Sequence, residues 1–418
     1  MPWLLPNWRR PWSTEQRGRY HRAATVKILK KMVLTVITAV LFPLLAAGAA
    51  SCSLVPLRES QYPVFHDDLQ LYALSTTLDQ SLAFLRTVPA STTYTLADVS
   101  VPVQRLIDSV LFLQRLLQLS PTAEQLNQEI QRAYTVYRID GGQGAKARRM
   151  LVTGYYQPIF AGSLERRPPY LYPLYAVPET LISEESGGRR KDIGRMQGGQ
   201  RLPFWTRKEI ETRNLLKGQE LVWLQDPFEV FVLHVQGSGV IQLADGTARG
   251  VHYAQSNGHL YTSVGKYLVD TGRMRLAEVT MDSIRQYLVD HPAERDLILH
   301  QNDSFIFFHW SKAGPVIGSL GQELTPGRSI AADQQWYPPG ALVYVDSRRP
   351  MMHSGQVVAW QPMQRFASVQ DTGSALTGPG RIDVFWGSGE QAGMEAGQMK
   401  EDGSVYLLLL KEGERLGQ

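Results

Sequence analysis

From Leu151 onwards the chain repeats one pattern: a short apolar run, then glycine or proline, then another short apolar run. Short runs bounded by turn-forming residues are typical of β-strands, and many in succession predict a barrel or a sandwich. We therefore expect a mainly β fold for this part of the chain. The runs are Leu151–Tyr156, Val230–Val235, Phe305–Phe308, Ala341–Val345, Val357–Ala359, Val384–Trp386 and Val405–Leu410.

Few helices are expected within this β region. Thr206 and Glu209 have the spacing of a capping box, which predicts a helix that starts at Thr206. A second helix is expected over about 282–289. His234 alternates with Val235 and is expected on a strand, in a structural role.

The residues before Leu151 have a different periodicity. Leucines at three- and four-residue spacing give one apolar face, which predicts amphipathic helices over 58–140. Ser120 and Pro121 are expected to be the N-cap and the first residue of the third helix, which would run to about Tyr137. The leucines of the first helix are Leu71, Leu74, Leu78, Leu82 and Leu85.

The basic character of the chain is confined to its first residues. Residues 1–31 contain eight Lys or Arg against one Glu, so the net charge of +4 becomes about −3 for the rest. An apolar run from Val33 to Ala50 follows. A charged stretch, an apolar stretch and small residues together form a secretory signal. We expect no nucleic-acid partner, because the body of the chain is not basic.

Cys52 directly follows the small residues and is the one cysteine of the chain. This arrangement is similar to a bacterial lipobox, in which the cysteine is lipidated after cleavage, although Ala49 stands where leucine is commonest. Two alternatives are plain cleavage and an uncleaved anchor, because the apolar run just reaches membrane-spanning length. All three place residues after 52 outside the cytoplasm.

Three aspartates near strand ends carry the strongest signal for a site. Asp333, Asp371 and Asp383 stand beside glycine-containing turns, and glycine lets the backbone approach a ligand closely. Trp386 follows Asp383 and offers an aromatic face for sugar rings. Two other interpretations are open: aspartates that organise turns, and a calcium site built from clustered carboxylates.

Six segments of the chain, in order, resemble the membrane-bound lytic murein transglycosylase A family, and they cover about residues 150–410. The family's C-terminal three-aspartate domain corresponds to about 329–410, with carboxylates that match Asp333, Asp371 and Asp383. The matching segments are 153–158, 234–239, 258–265, 302–308, 324–329 and 371–387.

The resemblance implies a double-psi β-barrel with a second β domain inserted into it and a groove between them. The barrel domain would consist of 58–158 and 310–418, after a leader over 1–52. The inserted β domain would span 159–309.

The resemblance also implies an activity. The family's catalytic acid falls on Asp383, and Gln236, Thr153 and Tyr155 match positions that line the groove in the family. Asp371, Asp333 and Trp386 are further candidates for binding substrate or tuning the site. The activity would be that of a peptidoglycan lytic exotransglycosylase, a carbon–oxygen lyase that forms 1,6-anhydromuramic ends. The implied location is the periplasmic face of a membrane, as an outer-membrane lipoprotein, with peptidoglycan strands as substrate and other cell-wall enzymes as candidate partners.

A single carboxylate is sufficient for that chemistry. A glycoside hydrolase normally needs two, but a lytic transglycosylase uses the C6 hydroxyl of the substrate as its nucleophile. No metal and no cofactor are expected, since the histidines lack metal-ligand spacing. Two alternative functions are an endoglucanase-like hydrolase with Asp371 as base, and a non-catalytic lipoprotein that binds the cell wall.

Overall fold

The computed structural model describes residues 53–141, 150–186, 189–373 and 375–414, so the leader and Cys52 lie outside the described part. The strands in these ranges are β1 (Ser53–Pro56), β2 (Thr93–Leu96), β3 (Val99–Pro102), β4 (Tyr134–Asp140), β5 (Met150–Gln157), β6 (Ile159–Ser163), β7 (Tyr172–Tyr175), β8 (Ile182–Ser186), β9 (Arg189–Gln197), β10 (Gln200–Pro203), β11 (Glu220–Leu224), β12 (Ser238–Leu243), β13 (Ala248–Ser256), β14 (Ile306–Lys312), β15 (Ser329–Ala331), β16 (Leu342–His353), β17 (Gln356–Asp371), β18 (Arg381–Ser388) and β19 (Lys400–Leu410).

The α-helices of the same ranges fall into three groups: three before the first long sheet strand, five between β10 and β14, and one after β18. They are α1 (Leu74–Leu85), α2 (Val103–Gln118), α3 (Ala123–Ala133), α4 (Arg207–Arg213), α5 (Pro227–Gln236), α6 (Val264–Asp270), α7 (Met281–Asp290), α8 (Arg295–Leu299) and α9 (Gly389–Gln398). Among the described residues, none of the helices combines the length and the hydropathy that crossing a membrane requires.

A closed barrel forms the centre of the fold. Its sheet has the order β19-β16-β17-β15-β18-β5, and β5 pairs back onto β19, so these six strands form a ring. β1 and β4 extend the sheet beyond β19. The expected mainly β barrel is therefore confirmed, while its double-psi pattern of strand connections stays a prediction.

The barrel core explains why the leucine-rich helices form. The apolar faces of α1 and α2 pack against the barrel strands, with Leu78 and Leu113 fully buried in one cluster with Val343 and Leu407. Burying each such side chain contributes about 1.5–3 kcal/mol to folding. The amphipathic helices thus cover one side of the barrel.

The helical prediction for 58–140 is wrong in three details. Strands β2 and β3 form an antiparallel hairpin between α1 and α2. The third helix ends at Ala133, and 134–140 form β4, whose β-branched and aromatic residues pair with both β1 and β19. The N-cap of that helix is Thr122, not Ser120: its hydroxyl accepts from the Gln125 amide N–H at 3.2 Å. Gln125 completes a capping box, because its side chain accepts from the backbone N–H of Thr122.

A second sheet lies between β5 and β15 in the chain. It has the order β14-β13-β12-β6-β11-β7, and the parallel pair β12–β6 follows directly on the end of β5. The capping box at Thr206 is confirmed as the start of α4. The helix expected over about 282–289 is confirmed as α7. The run 230–235 belongs to helix α5, however, so His234 lies on a helix and not on a strand.

Candidate active site

A groove of about 350 Å³ opens between the barrel and the helices of the second sheet. Strands β5, β18 and β19 and helix α9 form one wall. Helix α5, the loop before α6 and the start of α7 form the other. The residues that line it include Thr153, Tyr155, Tyr156, Phe231, His234, Gln236, Tyr261, Ser263, Met281, Asn302, Arg381, Asp383, Ala396 and Lys400.

Asp383 faces the groove because successive side chains of a strand point to opposite sides of the sheet. Ile382 and Val384 on either side are buried in the barrel core, so the side chain of Asp383 points away from that core. Parallel pairing of β18 with β5 sets Asp383 opposite Thr153. The two side chains are hydrogen-bonded, with the Thr153 hydroxyl as donor.

Arg381 forms a second contact with Asp383. Its Nε lies 3.0 Å from Oδ1 and its Nη2 lies 3.1 Å from Oδ2, so the guanidinium donates to both carboxylate oxygens. Nε is also 3.1 Å from the Thr153 hydroxyl. Burial raises the pKa of Asp383 above its usual range, and Arg381 and Thr153 oppose that rise.

Asp371 ends β17 and lies behind Tyr155. The Tyr155 hydroxyl donates to Asp371 Oδ2 at 3.0 Å, and the backbone N–H groups of Ser319 and Thr372 donate to Oδ1. Burial raises the pKa of the Asp371 carboxyl, and burial with the nearby carboxylates raises that of the Tyr155 phenol. Tyr155 therefore separates Asp371 from the groove.

The remaining predicted residues divide between the groove and the loops behind it. Gln236 ends α5 in the groove, where its carbonyl oxygen accepts from the Tyr156 amide at 3.1 Å. Asp333 lies outside the groove and accepts from the backbone N–H groups of Gln335 and Gly378, as a loop-organising aspartate does.

Trp386, the aromatic residue predicted to face the sugars, is not among the described residues that line the groove. Trp386 packs against the barrel core, and its Nε1 would lie 2.6 Å from a Cβ added at Gly154. Phe385 is buried against Tyr155, Val316 and Leu324. Both rings support the strand that carries Asp383, which is a packing role, and we propose no stacking role for them.

Sequence reasoning missed two polar groups of the site. Arg381 stands two residues before Asp383, and the two-residue period of a strand puts both on one face, so the spacing was a usable signal. His234 contacts the groove from α5, and its Nδ1 lies 2.9 Å from Nη2 of the buried Arg207. Burial and Arg207 lower the pKa of His234 well below its usual range, so this imidazole is neutral.

Comparisons with known proteins agree with this geometry. Residues 151–309 match the family model of the MltA specific insert domain, and residues 328–409 match the 3D domain. LtgG, a lytic transglycosylase of Burkholderia pseudomallei with a solved structure, is 32% identical; the alignment covers 88% of this chain and 99% of that one, with a TM-score of 0.51. The chain belongs to the MltA family.

Two further members extend the comparison. Membrane-bound lytic murein transglycosylase A of Escherichia coli is 31% identical over 263 residues, which are 62% of this chain and 66% of that protein. The chain thus spans just under two thirds of that relative. The crystal structure of a membrane-bound lytic murein transglycosylase from Agrobacterium tumefaciens has 26% identity, a TM-score of 0.68, and coverage of 86% of this chain and 98% of that one.

Proposed function

We propose that this MltA family member is a lytic transglycosylase of peptidoglycan with Asp383 as its one acid and base. It would cleave the β-1,4 bond between N-acetylmuramic acid and N-acetylglucosamine. One observation carries the proposal: among the described residues that line the groove, Asp383 is the only carboxylate. The names of its relatives, as lytic murein transglycosylases, agree with that chemistry.

The reaction needs one group that gives a proton and then takes one. Protonated Asp383 donates its proton to the glycosidic oxygen, and the bond from that oxygen to C1 of the muramic acid breaks. The C6 hydroxyl of the same sugar attacks C1 and returns its proton to Asp383. Holding the nucleophile within the same sugar contributes an effective molarity that is worth up to about 7–11 kcal/mol.

The surroundings of Asp383 suit this role. Its side chain is 16% exposed, and burial favours the protonated form, as a general acid near neutral pH requires. Gln236 offers an amide nitrogen that has no partner among the described residues, and amides suit sugar hydroxyls and acetamido groups. Thr153 fixes the carboxyl.

The hydrolase alternative requires a second carboxylate, placed about 5–9.5 Å from the first, as nucleophile or base for water. Asp371 was the candidate, but three donors hold its carboxylate, and Tyr155 lies between it and the groove. This arrangement favours a tuning role for Asp371. The non-catalytic alternative has no observation in its favour, since the groove keeps a buried acid.

Digestion of purified peptidoglycan, followed by mass spectrometry, tests the proposal. Muropeptides with 1,6-anhydromuramic ends, each lighter by one water than the hydrolytic product, are expected. Wholly reducing ends would instead indicate the hydrolase, and an absence of cleavage would indicate the binding protein. Products released only from strand ends would establish the exo action implied by the family.

We place the mature protein in the cell envelope, with lipidated Cys52 as its anchor on the periplasmic face of the outer membrane. The membrane-bound relatives support a membrane location, and the lone cysteine after small residues supports the lipid. Cys52→Ser is expected to yield a soluble or uncleaved protein in cell fractionation. A substituted protein that stays with membranes at its normal size would contradict lipidation.

Metal removal is expected to leave the activity unchanged, because the chemistry needs only a proton shuttle. Within the described ranges, no group of three or more His, Cys, Asp or Glu side chains has the arrangement to hold a metal ion. Turnover of peptidoglycan before and after dialysis against EDTA is the measurement. Loss of activity that one divalent ion restores would contradict the expectation.

A further inference from the structure

The contact between Arg381 and Asp383 conflicts with the state in which Asp383 must react. A guanidinium that donates to both oxygens of a carboxylate stabilises the charged form. The first step of the proposed reaction needs the neutral, protonated form. The Arg381–Asp383 contact must therefore change before Asp383 can act as the acid.

Arg381 is able to make that change. It is the first residue of β18 and its side chain is 35% exposed, twice as much as that of Asp383. Its side-chain hydrogen bonds, among the described residues, go only to Asp383 and Thr153. It lines the same groove as Asp383, two residues before it on the same strand.

The carboxyl has no such freedom. Asp383 lies within β18, between two strands that pair with it, and Thr153 on β5 holds it by a hydrogen bond. A sugar that fills the groove also excludes water from it. Once the guanidinium has left, burial is the dominant influence on this carboxyl, and burial favours the neutral form.

We propose that Arg381 holds Asp383 in its charged form while the groove is empty, and that a bound glycan displaces Arg381 so that one proton moves from solvent onto Asp383. The inference rests on the proposed function and makes Arg381 a positioning residue that acts through Asp383. Asp383 gives the proton gained on binding to the glycosidic oxygen, where it stays with the leaving sugar. Asp383 then takes a proton from the C6 hydroxyl, and this second proton returns to solvent when the product leaves.

Other charged or titratable groups near Asp383 do not replace Arg381 in this role. Tyr155 on β5 and Tyr261 on the opposite wall interact with Asp383 as neutral phenols, because burial raises the pKa of each. Asp371 lies behind Tyr155. Lys400 on β19 is paired in register with Thr153, but its Nζ lies 3.3 Å from the Leu276 carbonyl oxygen. Helix α9 lines the groove with the uncharged Ala396 and Gly397.

Calorimetric titration with the hexamer of β-1,4-linked N-acetylglucosamine measures the proton directly. The titration is repeated in buffers of different ionisation enthalpy. Mass spectrometry of the solution in the calorimeter cell measures any cleavage of the hexamer, so that the heat of cleavage can be subtracted. Wild-type protein is expected to take up about one proton per bound glycan at a pH where Asp383 is charged in the empty groove. Asp383→Asn should bind with no uptake, and Arg381→Gln should show clearly less uptake than wild type.

The pH profile of kcat/KM gives a second, independent readout, since it reports the pKa of the acid in the free enzyme. The acid must be protonated, so activity falls as the pH rises through that pKa. Arg381→Gln removes the positive charge that lowers the pKa of Asp383. The alkaline limb of the profile should therefore move up by about 1–3 pH units. Arg381→Lys, the matched control, keeps the positive charge and should leave the limb near its wild-type position.

Binding and turnover by the wild type without proton uptake would overturn this inference and leave the proposed function standing. An alkaline limb that is the same in Arg381→Gln and wild type would do so as well. If the wild type neither binds the hexamer nor releases anhydro ends, the proposed function fails, and this inference fails with it.

Discussion

Replacing Asp383 with Asn is expected to lower turnover of peptidoglycan about 100- to 10,000-fold or more. Asn has nearly the same size and keeps hydrogen-bonding capacity, but it neither gives nor takes a proton, and losing general acid–base catalysis costs rates of this size. No other carboxylate lines the described groove to replace it. Release of anhydromuropeptides, followed over time, is the measurement.

Asp371→Asn is the matched control for this experiment. It is the same chemical change at a neighbouring buried carboxyl whose contact with the site runs through the Tyr155 hydroxyl. A smaller loss of turnover is expected there, since Asp371 only tunes the site. A fully active Asp383→Asn protein, or an Asp371→Asn protein with the larger defect, would contradict the assignment of the acid.

Removing the carboxylate of Asp67 is expected to destabilise the barrel by about 3–5 kcal/mol, because Asp67→Ala leaves a buried charge without its partner. Arg328 is fully buried, and Asp67 is only 4% exposed. The guanidinium donates to both Asp67 oxygens, at 2.6 and 2.8 Å, and also to the carbonyl oxygens of Tyr72 and Phe366. The pair joins the segment before α1 to the start of β15.

Denaturant unfolding of the purified protein measures this loss as a fall in the free energy of unfolding. The control is Asp270→Ala, which breaks the exposed pair of Lys266 and Asp270 on α6. Exposed pairs contribute about 0–1 kcal/mol, so this variant should unfold close to wild type. Equal losses in the two variants would mean that the buried pair does not hold the N-terminal segment to the barrel.

The sequence predicted strands well where short apolar runs were isolated by turn residues. It failed at 227–236 because that helix is apolar nearly all round: Phe228, Val230, Phe231, Val232 and Leu233 are all buried. A helix without a polar face has no 3.6-residue signal, and a short apolar run is then easily taken for a strand. Asp226 and Pro227, as N-cap and first helical residue, were the local evidence for a helix.

The sequence predicted the catalytic candidate of the site but not the contacts that hold it. Asp383 was predicted from the resemblance together with its place beside a glycine-containing turn. Its contact with Thr153 was not, because it depends on parallel pairing between β5 and β18. Which strands pair is decided by the whole barrel, and neither segment carries that information alone. The shielding of Asp371 by Tyr155 depends on the same pairing.

Closure of the barrel determines when in folding the candidate site is assembled. Thr153 and Asp383 are 230 positions apart in the chain, and the ring is completed only when β19, near the C-terminus, pairs with both β5 and β16. Until β19 has paired, the barrel that sets Thr153 opposite Asp383 is not closed. The hydrogen bond that holds the candidate acid therefore depends on the last strand of the chain, although neither of its residues lies on that strand.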